Sequence, residues 1–242
     1  MLQVKNLKVK YNASDPNWAL DDISFALTPG ERVAVLGANG AGKSTLLLAA
    51  VGLLWPQEGE LLVEGQPLTK KNLPQLRQKL GLLWQNPDDQ LFLPTVYEDI
   101  AFGPRNYGLK EEEISYRIDV VLERLAISHL KERLIHKLSG GEKRLAALAG
   151  ILVMEPQVLL LDEPSSYLDP RSRRRLLGIL ATLPQAMLIA SHDLDLAWDL
   201  CPRVLLLSQG RLVADGLARD LLCDERLLEE CGLELPLVLQ GR

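Results

Sequence analysis

The stretch VAVLGANGAGKSTLLLAAV, Val33–Val51, decides how this chain is read. It opens on an unbroken apolar run of strand length and closes on apolar residues that suit a buried helix. Between them, Gly37 to Ser44 fits the spacing G-x-x-x-x-G-K-[ST]. Glycines at those places let successive backbone N–H groups turn inward. The helix that follows adds the positive end of its dipole, and Lys43 adds a full charge. Such a loop is a cradle for phosphate, which makes Gly37, Ala38, Asn39, Gly40, Ala41, Gly42, Lys43, Ser44 and Thr45 the candidate nucleotide-binding residues. The Ser44 hydroxyl is placed to reach a magnesium ion.

Outward from the cradle the pattern is mixed. LQVKNLKVKY alternates apolar and polar residues, ISFAL is a second strand-like run, and the turn signal TPGE precedes Arg32, so the start reads as a small antiparallel sheet. From Val33 onward, buried apolar runs alternate with helices: VLLLDE before Pro170, then MLIAS before DLDLAWDL. That alternation predicts a parallel sheet covered by helices. Glu111–Leu134 and Ser139–Met154 read as amphipathic helices inserted into this core. RVLLLSQGRLVADG predicts two strands joined by a tight Gln-Gly turn. The stretch QNPDDQLFLPTVYEDIAFGP, Gln85 to Pro104, looks too irregular for a strand and too rich in proline for a long helix.

Two further motifs carry chemistry. VLLLDEP is a buried strand that ends in two acids, putting Asp162 where a metal ion beside the cradle would sit and Glu163 one residue nearer a terminal phosphate. A carboxylate there orients or deprotonates water. LSGGEKR starts a helix with Ser139 as its N-cap, and the amides of Gly140 and Gly141 make a second anion site.

Composition removes several classes. With 242 residues, 47% hydrophobic and 24% charged, the chain is long enough to bury a large core. Its longest apolar stretch, Leu46–Trp55, is well short of the roughly 20 residues that span a bilayer, and MLQVKNLKVK lacks a signal-peptide core, so a cytosolic chain is expected. A net charge of -5 gives no general field for nucleic acid, and RSRRRL, Arg171–Leu176, reads as a solvated helix face. Cys201, Cys223 and Cys231 have neither disulfide nor zinc spacing and read as reduced packing residues, while His129 and His136 read as surface residues.

Taken together, Tyr11, the cradle, Gln85, LSGGE, VLLLDE, SSYLDP and His192, in that order, resemble the ATP-binding cassette (ABC) family over nearly the whole chain. The resemblance implies an α/β fold: a P-loop NTPase of ABC type with a parallel-sheet core and flanking helices, a small antiparallel β subdomain and an inserted α-helical subdomain. The expected division is a single ATPase domain over 1–216, with 1–84 and 155–216 mainly the nucleotide-binding core and 85–154 the helical part, and then a short helical tail over 217–242. It also implies an ATPase that closes head to tail with a second copy or a paralogous ATPase on two ATP molecules. Tyr11 would stack on adenine; Ser44, Gln85 and Asp162 would organise magnesium; Glu163 would polarise the attacking water; and His192 would contact the terminal phosphate. Ser139, Gly140, Gly141 and Glu142 would meet the ATP of the partner chain, and Asp169 would lie on the dimer seam. Two departures stand out. Tyr167 occupies a position where the family often has Gly, and Leu145 one where it usually has a basic residue, which implies a missing surface contact.

Cassette ATPases that act on nucleic acid or ribosomes are the alternative. Repair and chromosome cassettes need a long coiled coil between cradle and signature, and the interval from Thr45 to Ser139 has no sustained heptads; translation cassettes are usually paired in one chain. QNPDDQLFLPTVYEDIAFGPRNYGL resembles the energy-coupling-factor importers, above all the ATPases of cobalt and nickel systems. The resemblance implies a peripheral protein on the cytoplasmic face of the membrane, powering uptake of a metal ion or a vitamin. Its partners would be a transmembrane coupling subunit and a substrate-binding membrane subunit, with no nucleic acid. The segment after Gln85 would dock the coupling subunit through Asp88, Asp89, Leu91 and Phe92, with Leu93, Glu98 and Asp99 beside them. Relatives often carry a longer C-terminal extension that aids dimerisation, so weak pairing without ATP is expected here.

Overall fold

A computed structural model describes residues 1–12 and 14–240. In chain order its strands are β1 (Leu2–Val9), β2 (Leu20–Leu27), β3 (Arg32–Leu36), β4 (Glu58–Val63), β5 (Gln66–Pro67), β6 (Leu80–Leu83), β7 (Val158–Asp162), β8 (Ala186–Ser191), β9 (Arg203–Ser208) and β10 (Arg211–Leu217). They form two sheets. One is antiparallel in the order β2-β1-β4-β5, and the other runs β10-β9-β3-β8-β7-β6. In the second sheet β9, β3, β8 and β7 are mutually parallel, and β10 turns back on β9 at the edge.

Burial follows the patterns in the sequence. On β1, Leu2, Val4, Leu7 and Val9 face the core, and the alternation skips at Asn6, whose φ of 46° accompanies a register shift. Every residue of β7 and β8 is buried, as expected of parallel strands covered on both faces. The Gln209-Gly210 turn has positive φ at both residues, 49° and 78°, the geometry that suits the twist of a hairpin.

Contacts divide the chain into two units. The first comprises 1–82, 157–163 and 184–242, and the second 83–156 and 164–183. Residues 164–183 therefore pack with the helical part, although the sequence assigned them to the core. The segment after 216 belongs to the first unit as two short helices, Ala218–Leu221 and Glu225–Glu230, and a 3-10 turn, Leu237–Leu239. Gly241 and Arg242 lie outside the described residues. A single apolar core that includes Leu2, Leu20, Val35, Leu46, Leu160, Leu188 and Leu205 joins the two sheets of the first unit.

The second unit is built on helices Val96–Asn106, Glu111–Arg124, Gly140–Leu152 and Pro170–Thr182. Two expectations are corrected here. The helix begun at Glu111 stops at Arg124, ten residues before Leu134. It closes with Ala126 N–H donating to Glu123 O and Ile127 N–H to Leu122 O, each at 2.9 Å, while Ala126 takes φ 55°. This is a left-handed cap built without the usual glycine. Arg175 completes it by donating to the carbonyls of Leu125 and Ala126 at 3.1 and 2.8 Å. The second concerns Gln85 to Pro104, which contains a 3-10 turn, Pro87–Asp89, and then most of an 11-residue helix, Val96–Asn106. A capping box between Thr95 and Glu98 starts that helix, and Pro104 is tolerated in its last turn.

Cys201 and Cys231 are buried, and burial pushes the Cys201 thiol up to about 12. Cys223 is exposed and so is not the packing residue expected. His129 and His136 are exposed. Among the described residues no helix is long and apolar enough to cross a membrane.

Candidate nucleotide-binding and hydrolysis site

The cradle joins β3 to the helix Lys43–Ala50. A Cβ on Gly37 would come within 2.3 Å of Leu207 O, and Gly42, the helix N-cap, sits at φ 105°. Both positions therefore demand glycine. Ala38 is half-buried, Asn39 and Gly40 are exposed, and Ala41 is buried. Lys43 is 7% exposed, and its Nζ donates to Gly37 O at 2.7 Å and Ala38 O at 3.1 Å. Burial lowers the pKa of this ammonium, and the nearby carboxylates of Glu163 and Asp162 oppose the shift. The Tyr11 hydroxyl shares a hydrogen bond of 2.7 Å with Thr45 Oγ1, and the residue is 58% exposed.

The acidic end of β7 lies beside this loop. Ser44 Oγ donates to Asp162 Oδ1 at 3.1 Å. Register places Asp162 opposite Ala190, which brings the next residues of the two strands, Glu163 and Ser191, together. The buried Ser191 Oγ donates to Glu163 Oε2 at 3.0 Å, and His192 Nδ1 lies 2.8 Å from Glu163 Oε1. Ser191 Oγ also accepts from Asp193 N–H at 3.0 Å, and Asp193 caps the helix Leu194–Leu200. Glu163 adopts φ 44°, an uncommon backbone state for a non-glycine residue and one that concentrates at functional sites. The sequence motifs singled out Glu163 and His192 but missed Ser191, whose role depends on strand register.

In the second unit, Ser139 caps the helix Gly140–Leu152, and Glu142 folds back on it in a full capping box. The Ser139 backbone N–H and hydroxyl donate to Glu142 Oε2 at 2.8 and 2.9 Å, which holds the Glu142 carboxyl below its usual range. Glu142 thus organises the motif's own helix entry. Gly141 packs on Ser172, where a Cβ would lie 2.7 Å from Ser172 Oγ, and Gly140 faces open space.

A family model described as ABC transporter matches residues 20–166. The chain belongs to the ABC transporter family. It is an ATPase cassette, similar to a putative ABC transporter ATP-binding protein of Gloeobacter violaceus at 51% identity over 96% of each chain. It is 42% identical to the energy-coupling factor transporter ATP-binding protein EcfA of Methanothermobacter thermautotrophicus, over 98% of this chain and 77% of that protein. Among solved structures it resembles cbiO1 of Clostridium perfringens, part of the ABC transporter complex cbiONQ. There the TM-score is 0.84 and the identity 38%, over 95% of this chain and 93% of that one.

Within this cassette the remaining candidates have distinct places. Gln85 is exposed. Asp169 caps the helix Pro170–Thr182, accepting from Arg171 N–H and Ser172 N–H; the Ser172 hydroxyl at 2.6 Å leads in lowering its pKa. Asp88 pairs with Lys143 at 2.6 Å, whereas Asp89 is exposed without such a partner among the ion pairs described. Asp99 accepts from the backbone N–H groups of Phe92 and Leu93 through Oδ1, each at 2.9 Å, and so shapes this turn. Leu91 is 7% exposed and belongs to the core, which removes it from any docking surface. Phe92 is 63% exposed and meets the exposed Phe102 edge to face, with ring centroids 4.9 Å apart. Phe102 went unnoticed because it follows Phe92 by most of a helix. Leu145 is buried, so no surface contact is lost there; the neighbouring Arg144 is the basic residue with structural consequence.

Tyr167 takes φ 63° with its side chain 90% exposed, so it holds a left-handed backbone without packing in return. Relief of that strain exceeds the extra unfolded-state freedom of glycine. Tyr167→Gly is expected to stabilise the chain by about 0.5–1 kcal/mol. The corresponding rise in Tm is about 1–4 °C by calorimetry; an unchanged or lower Tm would count against strain at this turn.

Proposed function

We propose that this cassette hydrolyses ATP as a pair of copies closing head to tail, and that closure powers import of a micronutrient through an energy-coupling-factor complex. A cobalt or nickel ion is favoured over a vitamin on sequence resemblance. The observation that carries the hydrolytic half is Glu163, buried and held from both oxygens by Ser191 and His192, one residue beyond the Asp162–Ser44 pair. In this reading Glu163 accepts a proton from water or orients it, and His192 steadies the terminal phosphate.

Magnesium suits the residues present. The Ser44 hydroxyl and the Asp162 carboxylate are hard oxygen donors 3.1 Å apart, the chemistry this ion takes beside phosphates. Gln85 is assigned to the same shell by its place in the motif order. Bound magnesium would neutralise charge developing on the transferred phosphoryl group. Ser139, Gly140 and Gly141 offer their helix entry to the ATP of the other copy, and Asp169 lies on the seam between copies.

The importer half draws support from similarity to cbiO1 and EcfA and from the exposed patch of Phe92, Phe102 and Asp89. This patch suits a helix of the membrane coupling subunit that carries an apolar side chain and a basic one, with the cassette peripheral on the cytoplasmic face. In cells carrying the full complex, Phe92→Glu with Asp89→Lys is expected to abolish most metal uptake while the purified chain keeps its ATPase rate. Wild-type uptake by this variant would contradict the docking assignment.

A further inference from the structure

Arg144 has the largest fully buried side chain among the described residues, at 1% exposure. It is the fifth residue of the helix that LSGGE opens. Burying a guanidinium is unfavourable unless its donors are satisfied. Here Nη1 donates to Trp84 O at 2.6 Å and Nη2 donates to Gln85 O at 2.5 Å. These are the two peptide carbonyls on either side of the Gln85 α-carbon. One planar fork therefore holds both peptide planes from which the Gln85 side chain departs.

The same helix face adds two more ties. Lys143 pairs with Asp88 at 2.6 Å. The Gln90 side chain accepts from Trp84 N–H and donates to Ala147 O, each at 3.2 Å. Positions 143, 144 and 147 lie on adjoining rows of one helix surface, so Trp84 to Gln90 is fastened along its length to the helix that carries the signature.

We propose that Arg144 is the positioning residue for Gln85: it locks Gln85 to the signature helix, so that a displacement of LSGGE is delivered to Gln85 as one rigid piece. The proposal rests on the role given to Gln85 above. The effect of Arg144 reaches the chemistry through the Gln85 backbone, as residues behind metal ligands act through the ligands they orient.

The test compares purified wild type, Gln85→Ala, Arg144→Met, Arg144→Lys and the double variant Gln85→Ala/Arg144→Lys. Steady-state phosphate release is measured against ATP and against magnesium, and ATP affinity is measured separately by calorimetry. Arg144→Met is expected to lower kcat by about 10–100-fold and to raise the magnesium needed for half-maximal rate, with ATP affinity within about threefold of wild type. Lysine reaches one carbonyl only, so Arg144→Lys should fall between wild type and methionine. The double variant should be no slower than Gln85→Ala alone. If Arg144→Met does not fold, the lysine and double variants carry the test.

Wild-type turnover and magnesium dependence in folded Arg144→Met or in Arg144→Lys would overturn the proposal, as would losses that multiply in the double variant. Wild-type behaviour of Gln85→Ala would sink the role given to Gln85 and this proposal with it. A defective Gln85→Ala beside an unaffected Arg144→Lys would overturn the proposal alone.

Discussion

Glu163→Gln is expected to bind ATP as tightly as the unaltered chain and to hydrolyse it about 10²–10⁴-fold more slowly, the usual contribution of a positioned acid–base group. The amide keeps an oxygen and a donor for Ser191 and His192, so the local hydrogen bonds at 3.0 and 2.8 Å have replacements and the fold should persist. What it loses is the ability to take a proton. Single-turnover hydrolysis with calorimetric ATP binding separates the two effects. Near-normal turnover would remove Glu163 from the chemistry, and loss of ATP binding would show a structural role instead.

Lys43→Ala should act on the other side of that division. Lys43 is 7% exposed, and its ammonium is held at Gly37 O and Ala38 O within the loop. A charge-assisted bond to phosphate of about 1.5–3 kcal/mol corresponds to a loss of about 10–100-fold in ATP affinity. The same titration done with adenosine, which has no phosphate for Lys43 to meet, should be little affected because Tyr11 and its tie to Thr45 are untouched. Equal losses for adenosine and ATP would place Lys43 in the support of the loop rather than in phosphate recognition.

What the sequence made legible was local chemistry in contiguous residues. Gly37 to Thr45, Ser139 to Glu142 and Asp162-Glu163 each combine a strand or helix terminus with the residue types that such a terminus uses, and each occupies the expected element. What stayed hidden depends on neighbours distant in sequence. Ser191 reaches Glu163 because β7 and β8 are adjacent and in register. Arg144 reads as one more charge on an amphipathic helix until its fork is seen on Trp84 and Gln85. The end of the helix at Arg124 was missed because Ala126 fills the left-handed cap where glycine is the usual signal. Leu91 and Phe92 are adjacent and both apolar, yet one packs inward and the other faces solvent. The 3-10 turn at Pro87–Asp89 and the bonds from Phe92 and Leu93 to Asp99 set that division, and neither is visible as a period.

The most direct measurement is the mass of Glu163→Gln by light scattering, with magnesium and saturating ATP and again without nucleotide. A cradle on one copy and LSGGE on another sharing an unhydrolysed ATP predict a species of twice the chain's mass with ATP and the single chain without it. A single-chain mass under both conditions, with ATP binding verified by calorimetry, would contradict hydrolysis by a closed pair.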